Sequence, residues 1–369
     1  MHNHNAHLAK RLRTISSIVS VRQQQLRRTW LIAAIVCLLV SLIPISATAN
    51  ITNADPTSQS ANRKEQACLS TCVHGLSQQS NQPIRVVALN WSAIEMLLSL
   101  GIEPVGVTQG KGYRQWQSNH PALPESITEV GRRQEPDLVA IAQLQPDLII
   151  GYDFRHARLY QALSSIAPTL LYQQFPRPEQ DNFRYLQAIP QIYSEIAKAV
   201  GKTAKAQSDL AQMNTHLSLL KQQLSQAGLA QHPVTYGKFV GMGYGLRVFT
   251  DKSLAGSIAT KLGLDYQWHT AMPGKDFTHL QLEQMPHLNA SHILLAENQS
   301  NNQRILGSPV WQQLPFVKNN AISNTPALWS FGGPVSVQRM ATAFTESLLQ
   351  WQQQQTANAA ITSSTGESS

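Results

Sequence analysis

Short apolar runs alternate with helical segments through the middle of this chain, and this alternation constrains the fold more than any other feature. "RVVALN" suits a buried strand, and "SAIEMLLSLG" suits a helix that Ser92 caps and Gly101 ends. "PVGVT", "PDLIIGY" and "PTLLY" are further strands, with "PDLVAIAQLQ" and "LYQALSSIA" as helices between them. This βαβα order predicts a parallel sheet covered by helices on both faces.

The alternation pauses over roughly 180–228, where one long helix is predicted. Five apolar residues repeat there at intervals of three and four: Leu210, Met213, Leu217, Leu220 and Leu224. Gly228 ends the run. The alternation then resumes with "VTYGKFV", "RVFT", "SLAGSIATKLG" and "SHILLAE". We therefore expect an α/β protein of two α/β lobes joined by one long α-helix, with the ligand cleft between the lobes.

The N-terminus has the pattern of a secretory signal. Residues 1–30 carry six basic residues and no acidic ones, and the apolar run "LIAAIVCLLVSLIPI" and then "SATAN" follow. We predict export to the periplasm with cleavage near Ala49, which removes residues 1–49; a retained membrane anchor is the alternative. Polar composition predicts a disordered leader at 50–83 and a disordered tail at 353–369. The N-terminal lobe then covers 84–200, the interlobe helix 201–228 and the C-terminal lobe 229–352.

The net charge of +8 comes largely from this signal. Six of the 29 basic residues and none of the 21 acidic ones lie within it, so the mature chain carries about +2 and predicts no nucleic-acid partner. Cys68 and Cys72, the two mature cysteines, are a candidate disulfide in an oxidising compartment, with free thiols as the alternative. The histidines lack metal-ligand spacing, and no nucleophile elbow, phosphate loop or dinucleotide fingerprint occurs. We therefore expect no enzyme, no protein-bound metal and no cofactor.

Aromatic residues follow several of the predicted strands. Trp91 comes after "VVALN", Tyr152 after "DLIIG" and Trp329 after "NTPAL". In open α/β sheets, ligands bind beyond the carboxyl ends of the strands, so these positions favour a ligand site, although ordinary packing is the alternative for each. Arg133, in "VGRRQEP", precedes a predicted helix and is expected on the same rim.

Four segments, in this order, resemble the periplasmic ferric hydroxamate siderophore-binding proteins: "RVVALNWSAIEMLLSLGIEPVGV", "YRQWQSNHPALPESITEVGRRQEPDLVAIAQLQPDLII", "LRVFTDKSLAGSIATKLGLDYQW" and "PVWQQLPFVKNNAISNTPALWSFGG". The resemblance covers about residues 84–352. It implies a monomeric binding protein that captures a ferric siderophore and delivers it to an inner-membrane ABC permease with its ATPase. Haem, cobalamin or another siderophore class is the alternative ligand. A periplasmic siderophore-processing enzyme is the alternative of a different class.

The resemblance also implies the site residues. The family's cleft arginine falls on Arg133, whose planar guanidinium would bind the oxygens of an Fe(III) hydroxamate. The pocket aromatics of the family fall on four residues: Trp91, Trp116, Trp329 and Phe331. Its cleft tyrosine falls in an offset region where Tyr152 is the candidate, and a second-lobe tryptophan falls near Lys275, with Phe277 two residues on. Because the siderophore fills the coordination sphere of its iron, no protein ligand to the metal is implied.

Arg247, in "GLRVFT", stands where the resemblance implies an aliphatic residue facing the cleft. One reading is that its side chain points into solvent at the start of a strand. The other starts from the cost of a guanidinium in a partly dry cleft, which is unfavourable unless a negative group meets it. A siderophore with a free carboxylate, of the citrate-hydroxamate type, would supply that group, and both readings stay open at this point.

Overall fold

A computed structural model describes residues 84–366, apart from 178–179, 181, 241–244, 289–290, 297–302 and 327. The predicted signal, the polar leader and all three cysteines lie outside the described residues. Within the described ranges, no helix is long and apolar enough to cross a membrane.

The first lobe is built on a five-stranded parallel sheet in the order β3-β2-β1-β6-β7. The strands of this lobe are β1 (Val86–Ala88), β2 (Gly106–Val107), β3 (Thr128–Glu129), β4 (Gly131–Arg132), β5 (Glu135–Pro136), β6 (Leu148–Tyr152) and β7 (Thr169–Tyr172). Its helices are α1 (Trp91–Ser99), α2 (Gly110–Trp116), α3 (Leu138–Gln143), α4 (Asp153–His156) and α5 (Tyr160–Ser164), with a 3₁₀ turn at Ala157–Leu159. β4 and β5 form a separate antiparallel hairpin.

Two helices lead from the first lobe to the second: α6 (Tyr185–Ala199) and α7 (Thr203–Gln226). α7 has 24 residues, which at 1.5 Å per residue makes it about 36 Å long. It is the long helix expected at 201–228, and its predicted apolar stripe is buried or partly buried. α6 contacts both α1 and α7, so the connection consists of two packed helices rather than one.

The second lobe holds a six-stranded sheet in the order β11-β9-β8-β12-β13, with β10 paired to β8. Its strands are β8 (Pro233–Val240), β9 (Gly245–Phe249), β10 (Asp265–Tyr266), β11 (Phe277–Leu280), β12 (His292–Ala296) and β13 (Ile322–Thr325). Its helices are α8 (Leu254–Lys261), α9 (Gln303–Leu306), α10 (Pro309–Gln313), α11 (Pro315–Lys318) and α12 (Pro334–Gly366), with a 3₁₀ segment at Leu282–Leu288. The architecture of two α/β lobes is confirmed.

The parallel order that the alternation predicts does not extend through the whole of this lobe, because β9 runs antiparallel to both β8 and β11. The connection between β8 and β9 explains the difference. Only residues 241–244 separate the two strands, whereas a parallel neighbour needs a crossover of about a dozen residues or more.

The start of α1 and the end of α12 differ from their predictions. Asn90 rather than Ser92 caps α1, since its side chain accepts a hydrogen bond from the Ala93 N–H at 2.7 Å. α12 continues to Gly366, into the stretch from 353 whose polar composition predicts a disordered tail. The segment "QQQQTANAA" is rich in Gln and Ala, which favour a helix even without an apolar face.

A buried carboxylate joins the first lobe to α12. Glu95 on α1 is fully buried, and its Oε1 accepts from the N–H groups of Gly333 and Ser336 at 3.0 and 2.9 Å. Its Oε2 accepts from the Ser336 hydroxyl and the Gln117 amide, each at 2.5 Å. Burial raises the pKa of Glu95, and the bonds from Ser336 and Gly333 oppose that rise. Because the first N–H groups of a helix lack partners inside it, Glu95 acts as a cap supplied by another element.

Two glycines allow this close approach. A Cβ on Gly332 would overlap the side chains of Ser336 and Glu95, and one on Gly333 would lie 2.6 Å from Cγ of Met96. The contact also makes the interior continuous, since one cluster of buried apolar side chains extends from β1 and α1 through α6 and α7 to α8 and α12. The two lobes therefore share a core along the side of the molecule on which these helices pack.

We expect Glu95→Ala to lower the free energy of unfolding by about 3 kcal/mol, because it leaves several buried donors without an acceptor. Glu95→Gln should cost less, since its carbonyl oxygen can still accept from the two backbone N–H groups. Urea unfolding measures both, with Glu103→Ala at an exposed position as the matched control. Equal losses for Glu95→Ala and Glu103→Ala would contradict the role of the carboxylate.

Candidate functional site

Arg133 occupies a two-residue turn at the rim of the first lobe. β4 and β5 pair with Arg132 opposite Glu135, so that Arg133 and Gln134 form the turn between them. Gly131 enters this turn with φ of +88°, and a Cβ at this position would lie 2.8 Å from the backbone nitrogen of Asp137, so glycine is the residue that fits here without strain. The hairpin thus projects Arg133 as the sequence predicts, at the mouth of a turn before a helix.

Three contacts hold Arg133 in this turn. Its guanidinium carbon lies 3.5 Å from the ring centre of Trp91. Its Nε donates to Oε1 of Gln109 at 2.9 Å. Its carbonyl oxygen accepts from Nε2 of His156 at 3.0 Å, because the other ring nitrogen, Nδ1, accepts from the backbone N–H of Tyr152 at 3.2 Å. In the described part of the chain, neither terminal nitrogen of Arg133 has a hydrogen-bond partner, so both are available to a ligand.

The charges of these groups follow from their burial. Burial lowers the pKa of Arg133 to about 10, which still leaves it protonated at neutral pH. Burial also lowers the pKa of His156 to about 4, so this ring is neutral and holds the turn as a hydrogen-bonding group. The turn therefore presents one positive charge, placed over an aromatic ring that stabilises it.

Aromatic rings from both lobes meet between them. Trp91 contacts Trp329 edge to face, with ring centres 4.6 Å apart, and Trp329 contacts Phe331 at 5.3 Å. Phe331 then contacts Phe175 of the first lobe at 5.3 Å and Phe249 of the second at 6.0 Å. Residues 328–333, which include Trp329 and Phe331, thus form the floor of the cleft.

Of the other aromatic residues predicted for the site, Tyr152 and Phe277 are buried, whereas Trp116 is exposed. Tyr152 ends β6, is buried and accepts a hydrogen bond from Nε of Arg155 at 2.5 Å. Phe277 is buried on β11, 6.1 Å from Phe249. Trp116 lies at the end of α2 with 37% of its surface exposed and is not part of the ring cluster.

Arg247 lies half-buried on β9. Its guanidinium carbon is 4.2 Å from the ring centre of Phe277, and its Nε donates to Nε2 of His279 at 3.0 Å. Burial lowers the pKa of Arg247, while the charge of Asp276 raises it. Arg247 therefore packs on Phe277 instead of extending freely from the start of its strand, and a negative partner from a ligand stays a prediction.

A lysine of the second lobe reaches the first. Nζ of Lys275 lies 4.0 Å from the ring centre of Phe154 and 5.5 Å from that of Phe175, and Arg155 also lies beside Phe154, at 5.7 Å. With these two, five basic side chains surround the aromatic rings: Arg133, Arg155, Lys238, Arg247 and Lys275.

Asp276 is an acidic residue close to two of these cations, Arg247 and Lys275. It is almost fully buried, and its Oδ1 has no hydrogen-bond partner among the described residues. Burial raises the pKa of Asp276 to about 7, against the opposing charges of Arg247 and Lys275. The site consequently carries an excess of positive charge at neutral pH and suits a ligand with exposed negative oxygens.

Sequence reasoning missed several residues of this site, among them Gln109, His156, Lys238 and Asp276. Gln109 follows β2, so the rule that selects Trp91 would have selected it too. Lys238 is a lone charge within the apolar strand "VTYGKFV", which is itself a sign of a charge that needs a partner. His156 and Asp276 carry no such local signal, because their roles depend on long-range packing.

A separate groove of about 410 Å³ is lined by residues that include His120, Leu328, Arg339 and Glu346. None of the predicted ligand residues lines it, so it is distinct from the cleft.

Comparison with known proteins identifies the family to which the sequence of this chain is similar. The sequence model of the periplasmic binding protein family matches residues 86–327. A crystal structure of an Fe3+-Desferal-bound siderophore-binding protein FhuD from Vibrio cholerae is 30% identical, with a TM-score of 0.66, and the match covers 73% of this chain and 99% of that one.

Two proteins of Escherichia coli strain K12 are also similar. The iron(3+)-hydroxamate-binding protein FhuD is 26% identical over 256 residues, which cover 69% of this chain and 83% of FhuD. The Fe(3+) dicitrate-binding periplasmic protein FecB is 28% identical over 253 residues, which cover 68% of this chain and 79% of FecB.

The raised pKa of Asp276 gives the stability of the protein a pH dependence. Between about pH 4 and about pH 7 the folded protein keeps a proton on this carboxyl that the unfolded chain has lost. The free energy of unfolding therefore falls as the pH rises through this range, and Asp276→Asn should abolish that contribution.

Urea unfolding at pH 4.5, 6 and 7.5 tests this effect. The free energy of unfolding of Asp276→Asn should increase relative to that of the wild type as the pH rises. Asp265→Asn, at an exposed position, is the control and should show a constant difference; a constant difference for Asp276→Asn as well would refute the burial effect.

Proposed function

The chain belongs to the periplasmic binding protein family and, within it, to the siderophore-binding proteins of iron-siderophore ABC importers, and on that premise we propose that it captures ferric siderophores of the hydroxamate type. The relatives are substrate-binding proteins rather than enzymes. The Arg133 turn above the Trp91 and Trp329 rings is the observation that carries the proposal.

Arg133 suits a ferric hydroxamate for a chemical reason. The complex exposes hydroxamate oxygens with partial negative charge around its iron, and a guanidinium binds such oxygens through two parallel N–H groups. The Nε of Arg133 is already bound to Gln109, so the side chain is oriented before the ligand arrives. Orientation in the free protein reduces the entropy lost on binding.

The half-buried ring of Trp329 would contact the apolar spacers between the hydroxamate groups, supported by the buried rings of Trp91 and Phe331 that pack against it. Flat, rigid rings supply contact area while losing little side-chain entropy. The three bidentate hydroxamates of such a siderophore occupy all six positions around the iron, so we propose that the protein contributes no ligand to the metal and needs no cofactor.

The proposal includes the cellular setting. FecB is a periplasmic protein by name, and two relatives from Bacillus subtilis, YhfQ and YfiY, are lipoproteins by name. We propose that this chain is exported by its N-terminal signal, is cleaved near Ala49 and acts as a monomer in the periplasm. It would deliver its ligand to an inner-membrane ABC permease with its ATPase.

A second siderophore class has support from one observation. Five basic side chains surround the cleft, and the name of the relative FecB specifies Fe(3+) dicitrate, an anionic ligand. Haem and cobalamin remain further alternatives within binding proteins. A siderophore-processing enzyme is the alternative outside them.

Tryptophan fluorescence would separate these candidates, because Trp91 and Trp329 lie in the cleft. We expect ferric trihydroxamates to quench the emission at submicromolar concentration and ferric catecholates, haem and cobalamin to bind at least about tenfold more weakly. Mass analysis of the recovered ligand should show it unchanged. A stronger response to a catecholate or to haem would reject the hydroxamate assignment, and a modified product would reject the role of a binding protein.

We expect Arg133→Ala to weaken the binding of ferrioxamine B by about 1.5–3 kcal/mol, the range for hydrogen bonds to a charged group. Arg133→Lys should recover part of the loss, since it keeps the charge but not the planar pair of donors. Arg132→Ala is the matched control, because the neighbouring arginine is exposed. Fluorescence titration of the three variants measures the effect, and a larger loss for Arg132→Ala than for Arg133→Ala would show that the turn presents the other arginine.

A further inference from the structure

Three side chains on adjacent strands of the second lobe form a row across one face of the sheet. Lys238 on β8 lies directly opposite Arg247 on β9, and Arg247 lies directly opposite His279 on β11. Residues that are paired in this way on antiparallel strands project from the same face of the sheet. We call these three residues the basic row.

The basic row borders the cleft floor. Nζ of Lys238 lies 5.9 Å from the ring centre of Trp329, and the guanidinium carbon of Arg133 lies 5.5 Å from the same ring. Trp329 is therefore flanked by a cation of each lobe. A siderophore that rests on this ring and bonds to Arg133 has Lys238 within reach at its other end.

The pairing of Lys238 with Arg247 is unfavourable by itself. Like charges directly opposite each other on neighbouring strands repel, and both side chains are half-buried. Burial, together with the charge of Arg247, lowers the pKa of Lys238 to about 8. Among the described residues, no acidic group lies within 4 Å of either. Asp276 acts on Arg247 from further away.

His279 orients Arg247, one of the two cations. Nε2 of His279 accepts a hydrogen bond from Nε of Arg247, so this ring nitrogen carries no proton and the imidazole is neutral. The ring of Phe277, on which Arg247 lies, restricts the guanidinium from the other direction. Arg247 is thus a fixed donor beside Lys238 rather than a mobile surface side chain.

We propose that Lys238 and Arg247 form a second subsite that binds a free carboxylate of the siderophore, separate from the hydroxamate oxygens that Arg133 binds. The inference rests on the proposed function and narrows the ligand to hydroxamate siderophores that carry a carboxylate not bound to iron. A carboxylate has two oxygens and so accepts from both cations at once, which offsets their repulsion and supplies the acidic group that neither has within 4 Å among the described residues.

Two derivatives of ferrioxamine B test the subsite. Acetylation of its terminal amine gives a neutral tail, and succinylation gives a tail of the same amide type that ends in a carboxylate. The iron centre and its three hydroxamates are identical in both, so any difference in affinity reports the carboxylate. We expect the wild type to bind the succinyl derivative at least about tenfold more tightly, with a preference that shrinks as salt is added.

The variants are Lys238→Met and Arg247→Leu, each of which keeps much of the apolar stem. Both should reduce the preference to less than about threefold, because each should weaken the binding of the succinyl derivative more than that of the acetyl derivative. Lys261→Met and Arg132→Leu remove one positive charge at exposed positions and should keep the wild-type preference. Lys238→Met should unfold in urea at the same or a higher midpoint than the wild type, because it removes a repulsive, half-buried charge.

Each outcome decides the inference. Equal affinity of the wild type for the two derivatives would overturn the carboxylate subsite and leave the hydroxamate function intact. A lower unfolding midpoint for Lys238→Met would show that Lys238 has a partner within the protein and would also overturn it. Failure of both derivatives to bind would overturn the proposed function and the subsite with it.

Discussion

The Glu95 carboxylate accepts hydrogen bonds from Gly333 and Ser336 and thereby fixes the start of α12 against α1. The segment just before that helix carries the cleft floor. Its position is reinforced by the carbonyl of Phe331, which accepts from the Ser92 hydroxyl at 2.5 Å and from the Gln174 amide at 2.9 Å. The contact between Trp91 and Trp329, and hence the surface beneath Arg133, depends on this buried network.

The cleft concentrates positive charge beside apolar rings, and that arrangement has an energetic cost. Partial burial lowers the pKa values of Arg133, Lys238 and Arg247, which means that each charged form is disfavoured in the free protein. A ligand with exposed negative oxygens offsets that cost on binding. Because these cations are partly removed from solvent, an ionic contact with such a ligand is stronger than the same contact in bulk water.

The sequence predicted the elements better than their pairing. Alternating apolar runs located most of the strands, and the stripe on α7 located the long helix, because both depend on residues close together in the chain. The position of Arg133 could also be predicted, because Gly131 and its neighbours in the chain form the turn. The roles of Lys238 and Asp276 could not be predicted, because their environment depends on the register of β8, β9 and β11 and on the order of strands in the sheet. The extension of α12 was not predicted, because a helix without an apolar face has a polar composition similar to that of a disordered tail.

The shared interior described above has a consequence for how the molecule loses its structure. Buried side chains from Val86 on β1 to Phe344 on α12 belong to one contiguous cluster, so neither lobe can expose its half of that interior without disrupting the other. Denaturation should then proceed as a single cooperative transition instead of two steps. A ligand held in the cleft would consequently protect the whole polypeptide by mass action, including helices that never touch it.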